Sequence, residues 1–285
     1  MMTELVMMAR KNRILEIVIK TIVKFVMMLI NFWYEFTGFL RIHGFLGNQY
    51  CDLLELKGKY AGERCFIICT GPSLTIDDLE KIQHEYSFGM NSICLLENRT
   101  AFRPTFYGCN DLGVYNKLKY EIERYCGENV EVFVSDRIKR NGKVKKTWHV
   151  FPENVAYHTY DRWFKQDFWC KFSDDCYRTV YGMHSITHSL IQIAVYMGFK
   201  EIYLLGADCN FPKGEKIHFQ EYGVLDTTID TARERNIAGY EEVKKQMNKL
   251  GFMVYNATRG GALEVFERVD LDEIITKYNK PRVTN

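Results

Sequence analysis

The chain has 285 residues, 47% of them hydrophobic, and 38 Lys plus Arg against 36 Asp plus Glu give a net charge of +2. That length and apolar fraction suit one large α/β domain or two small ones and exclude extended disorder. So even a charge balance offers no electrostatic case for nucleic acid as a ligand. The nine cysteines are odd in number, scattered and mostly set in apolar runs, with no Cys-x-x-Cys pair. They read as reduced core thiols of a cytosolic protein, and no structural metal site is expected.

Residues 1–45 read as an amphipathic helix. Arg13, Glu16, Lys20, Lys24, Asn31 and Glu35 recur at intervals near three, four or seven, so they share one narrow stripe. The other faces carry Ile14, Ile17, Val18, Ile22, Phe25, Leu29 and Trp33. Lys20 and Lys24 interrupt the run that a transmembrane span would need, and no small-residue cleavage site follows. The expectation is a helix lying on the inner face of the cell membrane, with Phe32, Trp33 and Tyr34 at the interface, or one packed on another subunit of a homo-oligomer or on the protein's own core. Residues 41–63, rich in glycine, read as a linker, and the globular domain, 56–285, begins near Leu56.

The apolar run Cys65-Phe-Ile-Ile-Cys69 predicts a strand buried on both faces, as in a parallel sheet, although so short a run also fits a buried helix. It stops at Thr70-Gly71-Pro72-Ser73. Gly71 permits close backbone approach, Pro72 suits the first turn of a helix, and Ser73 brings a hydroxyl. The turn is either a simple connection or a seat for a phosphate or nucleotide. A second strand ends at Met90-Asn91 and a third, from Pro104, meets Asn110 and Asp111. Each places polar residues where open α/β sheets bind ligands, or simply where turns need them. A helix over 113–127 and a strand over 131–135 follow. From about 137 to 176 the chain is basic and then aromatic, which reads as a lid-like insertion over the sheet edge.

Next come a helix with Ser185 and Thr187 at its start, a Gly198 cap, and a strand from Glu201 to Leu205 that runs into Gly206-Ala-Asp208. Ser185 and Thr187 either cap the helix or bind an anion at its N-terminus. Asp208 either caps a turn or holds a ribose or amine. His218, in a polar loop, is either an ordinary loop histidine or a general base. A helix over 229–250 leads to a last strand, Phe252–Asn256, followed by Thr258 and by Arg259, which suits phosphate or carboxylate. The fold class expected is a Rossmann-like, mostly parallel sheet with helices on both faces.

Taken together, Cys69-Thr-Gly-Pro-Ser-Leu74, Met90-Asn91, Phe106-Tyr-Gly-Cys-Asn-Asp111, Met197–Asp208 and Asn256-Ala-Thr-Arg-Gly-Gly261 resemble the bacterial domain family related to the 6-hydroxymethylpterin diphosphokinases. More distantly, they resemble the bacterial sialyltransferases that use CMP-activated sugars. This resemblance implies a nucleotide-binding sheet and metal-independent, inverting sugar transfer to a glycan or lipid-linked acceptor, with no cofactor beyond the nucleotide sugar. It implies a nucleotide site at Gly71, Pro72, Ser73, Asn91, Ser185, Thr187 and Asp208, with His218 as base, to which the strand-end pattern adds Thr70, Asn110, Asp111, Asn256 and Arg259. The chain departs from the sialyltransferases in having Thr70 where they have Asn and Asn210 where they have a tyrosine that helps the phosphate depart; Tyr222 is the replacement nearest to hand. The alternatives are a pterin-type diphosphokinase using ATP and a non-catalytic nucleotide-sugar-binding subunit.

Overall fold

The computed structural model describes residues 12–47, 49–142, 144–157, 168–211, 219, 223 and 229–277. Strand β1 (Arg64–Ile68) is buried at all five positions, as are the four positions each of β2 (Ser87–Met90) and β3 (Phe106–Cys109). Runs of this kind form strands covered on both faces, and they occupy the middle of an eight-stranded sheet. With β4 (Glu131–Ser135), β5 (His149–Phe151), β8 (Glu201–Leu205), β9 (Met253–Asn256) and β10 (Glu267–Arg268), the order is β10-β9-β8-β1-β2-β3-β4-β5. Every neighbouring pair is parallel, β1 pairing Ile67 with Phe88 on one side and with Leu204 on the other. Short β6 (Glu153–Asn154) and β7 (Val180–Tyr181) form a separate parallel pair.

The α-helices are α1 (Arg13–Ile42), α2 (Asp52–Leu56), α3 (Ile76–Lys81), α4 (Leu112–Cys126), α5 (Asp136–Asn141), α6 (Ile186–Met197), α7 (Ala232–Leu250) and α8 (Leu271–Lys277), with 3-10 turns at Asn91–Leu96 and Ile229–Thr231. Helix α6 is apolar on nearly every side and is buried along eleven of its twelve residues, lying across β1, β2 and β3. An all-round apolar helix of this kind belongs in an interior. The nine cysteines are all free thiols, and burial raises the pKa of Cys69 to about 12.

Three sequence expectations change. Tyr50, Leu53 and Leu56 belong to the main core, so the body begins inside the supposed linker. Helix α3 starts at Ile76 behind a Thr75–Asp78 capping box, which leaves Pro72 in the preceding turn rather than in a first helical turn. The described part of 137–176 is framework: it supplies most of α5, edge strand β5 and strand β6.

Helix α1 is amphipathic, but its polar stripe faces the body. Glu35 accepts from Lys171 Nζ and Arg178 Nη2, both at 2.7 Å, and from the Tyr181 hydroxyl. Asn31 Oδ1 accepts from Asn154 Nδ2 at 3.0 Å, and buried Arg41 donates to the Tyr177 and Arg178 carbonyls. The apolar faces are left exposed. Among the described residues, no helix is long and apolar enough to cross a membrane.

Candidate functional site

The strand order reverses between β1 and β8. From β1 the chain proceeds outward to β5, then returns to β8 on the other side of β1 and proceeds outward to β10. Connections that leave in opposite directions open a crevice at the carboxyl ends of the two central strands, which is the usual ligand position in open α/β sheets.

The two strand ends are tightly knit. Cys69 N donates to Leu205 O at 2.8 Å and Gly71 N to Gly206 O at 2.9 Å. Gly206 turns the chain with φ of 64°. Asp208 then reaches back, its Oδ2 accepting from Ser73 Oγ at 2.8 Å and from Ser73 N at 3.4 Å. A side chain at position 71 would overlap that carboxylate and lie 2.5 Å from Gly206 O, so only glycine allows the clasp. The Gly71-Pro72-Ser73 turn is therefore shaped around a carboxylate. A second anion placed directly on Ser73 would meet like charge, so this turn favours hydroxyl or amine groups over phosphate.

Phosphate is better received at the start of α6. Ser185 is its N-cap, accepting from Thr187 N at 3.3 Å. Thr187 Oγ1 lies 3.5 Å from both Cys69 Sγ and Met90 Sδ, which brings this helix start to the ends of β1 and β2. Ser185 N, Thr187 N and His188 N are bonded to Met183 O, Ser185 Oγ and Ser185 O, so what this helix start offers an anion is the positive end of its dipole. Asn91 stands beside it, immediately beyond β2, with φ of 46°. Its carbonyl accepts from the Tyr107 hydroxyl, and its Oδ1 is buried with no partner among the described residues. A buried amide oxygen left open at a strand end is a place for an incoming donor.

Other predicted positions are drawn off into the scaffold. Asp111 caps α4, accepting from Val114 N at 2.8 Å. Asn256 is fully buried and braces its own loop, donating to Leu263 O at 2.8 Å and accepting from Thr258 N at 3.0 Å. Arg259 is paired with Asp78 of the capping box. Asn110 Nδ2 donates to Glu153 Oε1 at 2.7 Å, toward the β5 side of the same edge. Thr70 O accepts from Phe219 N at 2.9 Å, so the chain at Phe219 lies against the end of β1. His218 and Tyr222 lie outside the described residues.

Two groups escaped the sequence reading. His184 has φ of 64° directly before the α6 cap, and burial, assisted by Arg235, lowers its pKa to about 4. Glu153 is buried beyond β5, where burial raises its carboxyl and Arg137 works against the rise. The only signal for Glu153 was an acidic residue in Pro152-Glu-Asn154 after an apolar triplet, hidden within the supposed lid.

No protein-family profile matches the chain, and no curated protein matches it. Among solved structures it is similar to the sialyltransferase CstII from Campylobacter jejuni in complex with cytidine-5'-monophosphate, at 12% identity and TM-score 0.47, covering 79% of this chain and 88% of that one. It is also similar to the MAf glycosyltransferase from Magnetospirillum magneticum AMB-1, at 14% identity and TM-score 0.42, covering 83% of this chain and 42% of that one. A mammalian sialyltransferase in complex with Gal-beta-1-3GalNAc-ortho-nitrophenol superposes at TM-score 0.37 and 13% identity, covering 80% of this chain and 86% of that one. Superpositions this loose transfer no activity.

Proposed function

We propose that the chain is a glycosyltransferase that moves a sugar from a nucleotide donor, CMP-linked and sialic-acid-like, to a glycan or lipid-linked acceptor. The observation that carries this reading is the divided crevice. A carboxylate clasped to Gly71-Pro72-Ser73 lies on one side. A helix N-terminus with Ser185 and Thr187 lies on the other, and the Asn91 Oδ1 acceptor beside it is open to a hydroxyl or amine of the ligand. A nucleotide sugar needs both kinds of partner: hydroxyl recognition for its ribose and anion recognition for its phosphate. The motif resemblance of the sequence suggests the CMP-linked donor, while Thr70 and Asn210 depart from the pattern of the sialyltransferases that use it.

In the proposed reaction the acceptor oxygen bonds to the anomeric carbon while that carbon's bond to the phosphate oxygen breaks. The nucleotide leaves with the electron pair, and the acceptor proton passes to a base. We assign the base to His218, since the task needs a group titrating near neutrality within about 3 Å of the hydroxyl. The start of α6 offsets the growing phosphate charge, and Asp208 keeps that charge away from the β8 side.

Thermal melting with CMP, UDP, GDP and ATP tests the reading, because a ligand that binds the folded state raises the midpoint by mass action. CMP is expected to raise it, and sugar transfer from a CMP-linked donor is expected to survive EDTA. A response to ATP and Mg²⁺ alone, with phosphoryl transfer that EDTA abolishes, would identify the diphosphokinase instead. CMP binding without turnover would leave a nucleotide-sugar-binding subunit.

A further inference from the structure

Helix α1 spans 30 residues, about 45 Å, and wears its apolar side outward. At about 100° per residue, its charged positions Arg13, Glu16, Lys20, Lys24, Glu35 and Arg41 fall within about 120° of the circumference. The remaining arc, about 240°, holds no charge. It presents Phe25 at 55%, Phe32 at 64% and Trp33 at 63% exposure, together with Ile14, Ile22 and Met28. Soluble domains do not leave a contiguous patch of this kind uncovered.

The width of the arc decides what covers it. A second copy of the helix, packed as a coiled-coil pair, covers a narrow seam at two positions in seven and would leave most of these side chains in water. A continuous apolar phase covers the whole arc at once. The border of the arc carries the matching charge. Lys171 and Arg178 bind Glu35, while Arg137 and Arg140 pair with Glu153 and Asp136 close to Tyr34. The four cationic side chains are 41% to 57% exposed, whereas the Glu35, Asp136 and Glu153 side chains are 20%, 9% and 1% exposed. The carboxylates lie beneath and the cations face outward, which suits a layer of anionic headgroups. Since no described helix is suited to crossing a bilayer, the contact is with one face of it.

We infer that α1 is a membrane-embedding helix. Its apolar arc enters the acyl boundary of an anionic lipid surface, its polar stripe is bolted to the protein, and Arg137, Arg140, Lys171 and Arg178 lie at headgroup level. This inference does not depend on the transferase reading, and its test uses no nucleotide.

The full chain is floated with phosphatidylcholine vesicles, with and without phosphatidylglycerol. Wild type is expected to float with the anionic vesicles and less well at high salt. The triple variant Phe25→Glu, Phe32→Glu, Trp33→Glu is expected to lose at least about tenfold in bound fraction. Its melting midpoint and circular dichroism should stay unchanged, because those side chains touch solvent. Bromine-labelled lipid should quench tryptophan emission in wild type, and Trp33→Phe should lose most of that quenching. Wild type that stays unbound with anionic vesicles overturns the inference, as does a triple variant that floats equally well. A wild-type oligomer that the triple variant disperses, with neither captured by vesicles, would assign the arc to a second copy.

Discussion

The two ends of the sheet are built on opposite terms. At the amino-terminal edge two clusters of charge are paired internally. Arg64 and Glu85 form a buried pair with contacts of 3.0 and 2.5 Å, and His149 bridges Asp52 at 2.6 Å and Glu131 at 3.4 Å. The rings of Tyr60, Tyr86 and Phe199 close the space between them. At the carboxyl-terminal edge lie Asn91, His184 and Cys209, the three non-glycine residues with positive φ among those described, and the open Asn91 Oδ1. Strained backbone and unanswered polar atoms persist where the surroundings force them, and they gather where ligands bind. One edge holds the fold together and the other is kept available.

This contrast predicts that variants at the two edges will separate stability from binding. The largest effect belongs to Arg64→Met, which strands Glu85 in the interior and should cost about 3–5 kcal/mol in denaturant unfolding. Nucleotide affinity of the folded fraction should stay unchanged. The double variant Arg64→Met, Glu85→Leu should recover most of the loss, and a double no better than the single would show that the pair is not the cause.

Gly71→Ala pushes a methyl group into Asp208 and Gly206. It should cost about 2–3 kcal/mol and also abolish the CMP-dependent rise in melting midpoint. Asp208→Asn keeps a hydrogen-bond acceptor for Ser73, so unfolding should move by less than about 1 kcal/mol while nucleotide affinity falls on the order of tenfold to a hundredfold. Unchanged affinity in calorimetry would remove Asp208 from the ligand side of the crevice.

A smaller, pH-dependent effect belongs to His149. Burial opposes its charged form, but the hydrogen bonds to Asp52 and Glu131 outweigh burial and raise its pKa to about 9. Its stabilisation is complete below its ordinary value of 6.5 and is lost as pH rises through about 9. Because Asp52 is 40% exposed, the contribution is discounted to on the order of 1–2 kcal/mol. His149→Gln should therefore narrow the difference in melting midpoint between pH 6 and pH 9.5, without moving nucleotide affinity. Smallest of all, Asn91→Gly relieves a positive φ and should change stability by less than about 1 kcal/mol while weakening nucleotide binding.

Much of this was legible in the chain. Cys65–Cys69 and Glu201–Leu205 announce themselves as apolar runs that break at glycine, and such breaks mark strand ends. From that pattern the parallel sheet and the two halves of the crevice could be read. The clasp between them could not, because Ser73 and Asp208 are 135 residues apart and local pattern contains no pairing information at that range. Asp111 and Asn256 looked like binding residues because a strand end calls for the same short polar side chains whether they cap a helix or meet a ligand. Strand β5 was missed since it is three residues long and opens with His149, whose partner Asp52 lies 97 residues away. Periodicity located the polar stripe of α1 correctly, yet it says nothing about which side of a helix the body will cover.

That choice of side has a geometric consequence. Helix α1 grips Asn154 of β6 and Tyr181 of β7, and Glu153 of the same β6 strand is bonded to Asn110 at the end of β3. The helix is thus mounted on the rim from which the crevice opens. Whatever surface receives the apolar arc also sets the height and heading of the crevice mouth, as a keel fixes the attitude of a hull. An acceptor held in that surface would be found by lateral drift at a fixed stand-off, and its density per unit area, rather than its concentration in solution, would govern the encounter.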